Sequence, residues 1–375
     1  MRSTSDCEPS LIYTLATFRL ITRLPANSVY QVGHALVYRH HRDREVSHAW
    51  ADNRALAGGL FALFALLLSA QWAKALDNVT LITDFGYNGR HAYFFVAIEK
   101  GYYKDADLDV KVVRGQGSVD AIRQVGANNA LVGFADAGSL VLARGNDQIP
   151  VKLVSIVYAK PPQAIFCRED SGIKQPKDLE GASIANPAGG ATVDMFPVYA
   201  KAAGFDASKV KWIVAGSDSL PGLLASNRVP CVGQFTVGEP LLRMQAAPAK
   251  LVRFAFADSG VNFYGNGIIA TDNTIATKPD IVRRFVGATI RGMKDAFAKP
   301  DEAGRIMHKY HPTIEVAVAE GETKAVAELA QVKDGKLGVI DPARVQDTIN
   351  VVNSVFKLKA PVAVNDVYAP GFVSK

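Results

Sequence analysis

The chain has 375 residues, 49% hydrophobic and 21% charged, the balance of a folded globular protein too long for one ordinary core. Its formal net charge is +6, but residues 1–75 hold eight Lys and Arg against five Asp and Glu, leaving 34 against 31 beyond them. So small and scattered an excess, with no basic run interleaved with aromatics, argues against a nucleic-acid-binding role.

The amino-terminal quarter reads as a leader rather than as fold. Arg54 precedes the uncharged run Ala55–Leu68, and Ala73-Lys74-Ala75 has the small-x-small form of a cleavage site. The run is shorter than the roughly 20 residues a membrane span needs, so residues 54–75 are expected to be a cleaved signal peptide. A short uncleaved anchor is the alternative. Because residues 1–53 precede it without a steady hydrophobic period, they are expected to be a mis-called extension. No Met falls between Met1 and Met195, and a non-ATG start such as the codon for Val46 is the expected origin. No Cys follows the apolar run, which argues against a lipid tether.

From residue 76 the chain alternates strands with helices. Val79–Thr83 predicts a β-branched strand, Asp84–Arg90 a polar turn with aromatics, and Ala92–Lys100 a helix closed by Gly101. Leu108–Val113, Ala130–Ala135 and Val151–Val157 predict further strands, with helices from Ser118 or Asp120 and from Asp136 between them. A second series follows: strands at Ala164–Cys167, Ala182–Ala185, Val210–Val214, Val229–Phe235 and Leu251–Ala255, with a Gly-rich turn at Asn186–Thr192. Phe263–Ala270 predicts a strand that carries the chain back, and from Pro279 the pattern is helical. This is an α/β chain of two lobes, each a mostly parallel sheet flanked by helices. The expected divisions are 76–162 for the first part of lobe 1, 163–270 for lobe 2 and 271–375 for the return. Ligands of such sheets bind beyond the carboxyl ends of the strands, which points to the cleft between the lobes.

Asp84-Phe85-Gly-Tyr-Asn88-Gly-Arg-His91-Ala-Tyr, then Val96-Ala-Ile-Glu-Lys-Gly-Tyr-Tyr103 and Asp107-Leu-Asp-Val110, resembles the opening of the NMT1/THI5-like solute-binding proteins of ABC importers. The resemblance continues through Gly133–Ala137, Leu179–Gly181, Gly189–Thr192, Gly233–Pro240, Tyr264–Asn266, Lys278-Pro279 and Ile340-Asp341. It spans nearly all of residues 78–372. The chain departs from the family pattern at Phe85, Tyr93, Asp107 and Cys231, where Trp, Gly, Gly and an acidic residue are common. The resemblance implies a type 2 periplasmic binding fold, a clamshell that hands a small solute to an ABC permease and its ATPase in the inner membrane. A periplasmic monomer without catalytic residues or cofactor is expected.

Candidate ligand-binding residues carry both a chemical reading and a plainer one. Phe85 and Tyr87 offer flat faces to a planar ligand, or pack at the lobe surface. Asn88 can read a heterocycle edge, or serve the turn. His91, just before a helix, is expected to be held neutral as a hydrogen-bond partner, or to cap the helix. Asp136 can reach a ligand amine, or cap its own helix. Gly189, Gly190, Ala191 and Thr192 open a helix whose amides suit a carboxylate, sulfonate or phosphate, or simply pack. Glu239 can accept from an exocyclic amine, as the resemblance to the thiamine-precursor branch implies, or be a solvated side chain. Tyr264 is expected to face the same cleft.

Cys167 and Cys231 lie in the second lobe and form a possible disulfide, which an exported compartment permits. No His, Cys, Asp and Glu cluster has metal-ligand spacing, and His308-x-x-His311 lacks a third ligand.

The expected function is an extracytoplasmic receptor for a small heteroaromatic compound, such as a thiamine-type pyrimidine precursor. A sulfonate or other organic anion is the first alternative. The second is an enzyme: fungal relatives of the same fold make the thiamine pyrimidine with an active-site His, matched by His91, and a Cys-rich motif absent here.

Overall fold

The structure is a computed structural model and describes residues 75–330 and 336–373. The expected extension and signal peptide, up to residue 74, lie outside the described residues. Among the described residues no helix is long and apolar enough to cross a membrane.

Among the described residues ten strands form two five-stranded sheets. In the first, β1 (Asp77–Ile82) lies between β2 (Leu108–Val113) and β3 (Val132–Asp136), parallel to both, and β10 (Asn266–Thr271) runs antiparallel between β3 and β4 (Val151–Ile156). In the second, β6 (Ser183–Asn186) lies between β7 (Lys211–Val214) and β8 (Cys231–Phe235), parallel to both, and β5 (Gln163–Arg168) runs antiparallel between β8 and β9 (Leu251–Ala255). Each sheet is therefore mostly parallel with a single reversed strand. The reversed strands, β5 and β10, are the two on which the chain enters a sheet from the other. A chain arriving from the cleft starts at the carboxyl edge of its new sheet, so its first strand must run against the rest.

The predicted return strand begins at Asn266 rather than Phe263, and it belongs to the first sheet. Lobe 2 therefore ends after β9, earlier than the boundary expected at residue 270. The predicted strand Ala130–Ala135 is shifted to Val132–Asp136, because Asp136 both ends the strand and caps the next helix.

The central strand of each sheet, β3 in one and β8 in the other, is buried throughout, as is β10 beside β3. Continuous burial suits a sheet covered on both faces. The helix Ala92–Glu99 is itself a core element, with Ala92 to Ala97 all buried. Its Tyr93 and Phe94 pack edge-on against Phe134 of β3. The long helix Pro279–Ala298 crosses it closely at Gly292, where a Cβ would fall 2.4 Å from the carbonyl oxygen of Tyr93. Gly101 takes the expected left-handed cap at φ 74°. Cys167 and Cys231 face each other across β5 and β8, their Cα atoms 4.0 Å apart and their sulfurs bonded.

Candidate functional site

The parallel strands of both sheets end at the cleft, and their last residues, with the turns that follow, build its walls. Asp84 and Phe85 follow β1, Asn186 closes β6, and Gln234 and Phe235 close β8. Two helices start at the same place: Ser118–Gly126 from the first lobe and Ala191–Ala203 from the second. Asp84, Phe85, Gly117 and Ser118 on one side meet Asn186, Gly190 to Thr192 and Gly233 to Phe235 on the other around a cavity of about 10 Å³. That is space for roughly one water, so the cleft is shut at this point.

Close backbone contact makes the closure possible. Gly117, at φ 140°, sits where a Cβ would lie 2.0 Å from the carbonyl oxygen of Gly189, and the neighbouring Val119 amide donates to that oxygen at 3.1 Å. Asn186 is clamped between Gly190 and Gly233, where added Cβ atoms would stand 2.2 and 2.3 Å from its amide group. The Gly-rich turn thus joins the lobes through its backbone as well as opening a helix.

The cleft also holds a buried charge network centred on Arg90, which is 1% exposed. Its guanidinium carbon lies 5.0 Å from the ring centre of Phe85 and 5.1 Å from that of Phe235, one ring from each lobe. Nη1 donates to Gln234 Oε1 at 3.0 Å, across the cleft, and the Arg90 backbone amide donates to Glu322 Oε2 at 3.0 Å. Asp84 accepts from Asn266 Nδ2 at 2.9 Å, and its other oxygen lies 2.8 Å from His91 Nε2. Burial raises the Glu322 carboxyl to about 7, against the pull of Arg90.

The structure brings only some of the expected site residues together. Phe85, Gly190, Ala191 and Thr192 line the cavity, while Gly189 contributes its carbonyl beside it. Asn88 is buried next to them, its amide donating to the Gly86 carbonyl at 3.2 Å, which is the turn role. His91 is fully buried behind Asp84, and its pKa is lowered chiefly by burial, with Arg90 adding and Asp84 opposing. Its neutrality thus comes from burial more than from a helix end.

Asp136 caps its helix, accepting from the Ser139 amide at 2.8 Å, while its second oxygen accepts from Gln163 Nε2 at 2.7 Å. Both oxygens are therefore used within the protein, and burial raises this carboxyl to about 7. Tyr87 points away from the cavity, stacked on His311 at 4.0 Å with its hydroxyl donating to the Val112 carbonyl. Glu239 lies in a separate groove, paired with Arg243 and with Arg253 at 2.9 Å. Tyr264 is bound from the other side: its hydroxyl oxygen accepts from the Asp341 amide at 3.0 Å, and the Arg344 guanidinium covers its ring.

Arg90, Asn186, Gln234 and Phe235 were not singled out from the sequence. Arg90, Gln234 and Phe235 stand inside the motifs quoted above, and an Arg inside an aromatic turn was the available signal. Among the described residues no group of three His, Cys, Asp or Glu side chains could hold a metal ion. His308 Nδ1 is instead 2.8 Å from the Ile314 carbonyl.

Comparison with known proteins agrees with this architecture. The chain is similar to the riboflavin-binding protein RibY of Chloroflexus aurantiacus, 27% identical over 310 residues that cover 80% of this chain and 86% of that protein. It is similar to the formylaminopyrimidine-binding protein of Halalkalibacterium halodurans, 22% identical over 79% of this chain and 91% of that protein. A more distant likeness, 21% identical over 64% of this chain and 75% of the relative, is to the 4-amino-5-hydroxymethyl-2-methylpyrimidine phosphate synthase of Legionella pneumophila. Among solved structures, the alkanesulfonate-binding protein SsuA from Xanthomonas axonopodis pv. citri, bound to MOPS, aligns with a TM-score of 0.62 at 12% identity. That alignment covers 79% of this chain and 99% of SsuA and shows the shared two-lobe fold. The profile of the NMT1/THI5 like family matches residues 88–303, more than half of the sequence, and the chain belongs to that family.

Proposed function

We propose that the chain is the extracytoplasmic solute-binding component of an ABC importer and that it holds a small planar heteroaromatic compound between its lobes. One observation carries the choice of ligand. Phe85, in the turn after β1, and Phe235, which ends β8 on the opposite lobe, lie on either side of the flat guanidinium of Arg90. A flat ring held between two such faces gains about 0.5–1.5 kcal/mol for each aromatic contact beyond its buried area. The similarity to riboflavin-binding and formylaminopyrimidine-binding proteins supports the same ligand class. Opening the lobes about the two crossing segments admits the ligand, and the closed form is what the permease and its ATPase receive. Residues 54–75 would export the chain to the periplasm, where it acts as a monomer.

A thermal-shift and calorimetric panel of riboflavin, aminopyrimidines, alkanesulfonates and aromatic acids tests this reading. A true ligand at 100 times its dissociation constant stabilises the protein by about 2.7 kcal/mol. Binding of alkanesulfonates alone would replace the heteroaromatic reading with an organic-anion receptor. That alternative rests on the amino ends of the helices Ser118–Gly126 and Ala191–Ala203, both of which reach the cavity. Formation of the thiamine pyrimidine by the purified protein with a Lys-bound cofactor and iron would make it an enzyme. Against that, His91 is fully buried and spends its Nε2 on Asp84.

A further inference from the structure

The shut cleft contains an electrostatic imbalance with a consequence for ligand choice, given the receptor reading above. Arg90 is a buried cation with five N–H donors and no means of losing its charge. Of its side-chain nitrogens, Nη1 alone makes a hydrogen bond, to Gln234, while Nε and Nη2 have no hydrogen-bond partner among the described residues. Nη2 stands 3.6 Å from Asp84 Oδ2, an ion pair too long to be a hydrogen bond. The two oxygens of Asp84 are held by His91 and Asn266, one bond on each. Nε–H and Nη2–H lie side by side on one edge of the planar guanidinium, the fork that matches two adjacent acceptors. Leaving such donors buried and unpaired is costly, and a ligand able to pair them would relieve that cost.

Acceptors stand in the cleft as well, but Asp84, the carboxylate that lines the cavity, is already bonded to His91 and Asn266. The carboxylate expected to accept from a ligand amine, Glu239, faces Arg243 and Arg253 in another groove, and Asp136 spends its oxygens on Ser139 and Gln163. What the aromatic slot presents to a ring is a fork of donors.

We infer that Arg90 selects the ligand by offering its Nε and Nη2 edge to a planar ring whose rim carries two adjacent hydrogen-bond acceptors. Such a pair is either a carboxylate or a ring carbonyl beside an unprotonated ring nitrogen. An amine-edged pyrimidine would meet donor with donor and is disfavoured. Arg90 moves aside from between Phe85 and Phe235 as the ring enters, and turns its fork to the ring's rim.

The test is calorimetric titration of the purified chain and of Arg90→Lys with three probes: riboflavin, nicotinate and 4-amino-5-hydroxymethyl-2-methylpyrimidine. Riboflavin carries neutral acceptor pairs and nicotinate a charged one, whereas the third has a donor amine at its edge. The expected result is that the unaltered protein binds riboflavin or nicotinate at least tenfold more tightly than the aminopyrimidine. Arg90→Lys, which keeps the charge and loses the fork, should weaken that ligand at least tenfold and compress the difference. Which of the two acceptor ligands binds assigns the edge as neutral or charged. Preference of the unaltered protein for the aminopyrimidine overturns the inference while leaving the receptor reading in place. So does an equal effect of Arg90→Lys on every ligand, the mark of a group that only ties Gln234 across the cleft. Failure of all three to bind the unaltered protein removes the receptor reading for these heteroaromatics and the inference with it. If Arg90→Lys does not fold by circular dichroism, the ranking on the unaltered protein decides alone.

Discussion

Asp136→Asn gives a sharp test of the electrostatics beside the cleft. Burial, partly offset by the bonds from Ser139 and Gln163, lifts this carboxyl from its ordinary 3.8 to about 7. A carboxyl raised on folding holds its proton longer in the folded than in the unfolded chain. The folded state therefore binds more protons between these values, and stability must fall as pH rises through the window. The contribution is whole below about pH 4 and is lost by the time pH passes 7. At about 1.36 kcal/mol per unit, a gap of roughly three units amounts to about 4 kcal/mol.

Asparagine removes the titration and preserves the geometry. Its oxygen can still accept from the Ser139 amide, and asparagine is as good a cap as aspartate. Its new N–H₂ can donate to Gln163 Oε1, now unpartnered, after a turn of the Gln163 amide. Urea unfolding at pH 4.5 to 8.5 should show the unaltered protein losing stability relative to the variant by about 1.4 kcal/mol per unit up to pH 7, with parallel profiles above. Glu322, raised to about 7, tilts both proteins in the same direction and cancels in the difference, as does Asp194, raised to about 6, apart from its charge coupling to Asp136. Profiles that stay parallel throughout would refute the reasoning.

Gly117→Ala should hold the lobes apart, because its Cβ would lie 2.0 Å from the Gly189 carbonyl oxygen and its φ of 140° suits glycine. Small-angle scattering should show a larger radius of gyration, and an unchanged curve would speak against a closure made through this contact. Reduction of the Cys167–Cys231 bond opens a link with a sequence separation of 64. On the chain-entropy account this costs about 4 kcal/mol. The bond is checked by alkylation that labels both cysteines only after reduction and unfolding. Glu239→Ala should leave ligand affinity within about twofold, since its partners lie outside the cavity. A tenfold loss would return Glu239 to the site. His91→Ala should lower stability by about 1–3 kcal/mol, because it strips a buried partner from Asp84. A melting temperature unchanged from the parent would contradict this.

The sequence by itself determined the alternation of strands and helices, the two-lobe division and the family. Those features depend on local periodicity and turn chemistry, which are written in contiguous residues. The turn after β1 and the Gly-rich turn before Ala191 could both be picked out in this way, whereas Cys167 and Cys231, 64 residues apart, were no more than a possible pair. Which side chains converge was decided only by tertiary structure, because it depends on where strands from distant parts of the chain end. Tyr87 and Phe85 stand two residues apart, yet one stacks on His311 and the other faces Arg90 in the cleft. Gln234 and Glu239 stand only five residues apart, but Gln234 ends β8 beside the cavity while Glu239 opens a helix turned to another groove. Arg90 could not be distinguished from a solvated turn residue until Phe85, Phe235, Asp84 and Gln234 were placed around it. A buried charge is defined by its surroundings, and in this fold those surroundings come from both lobes.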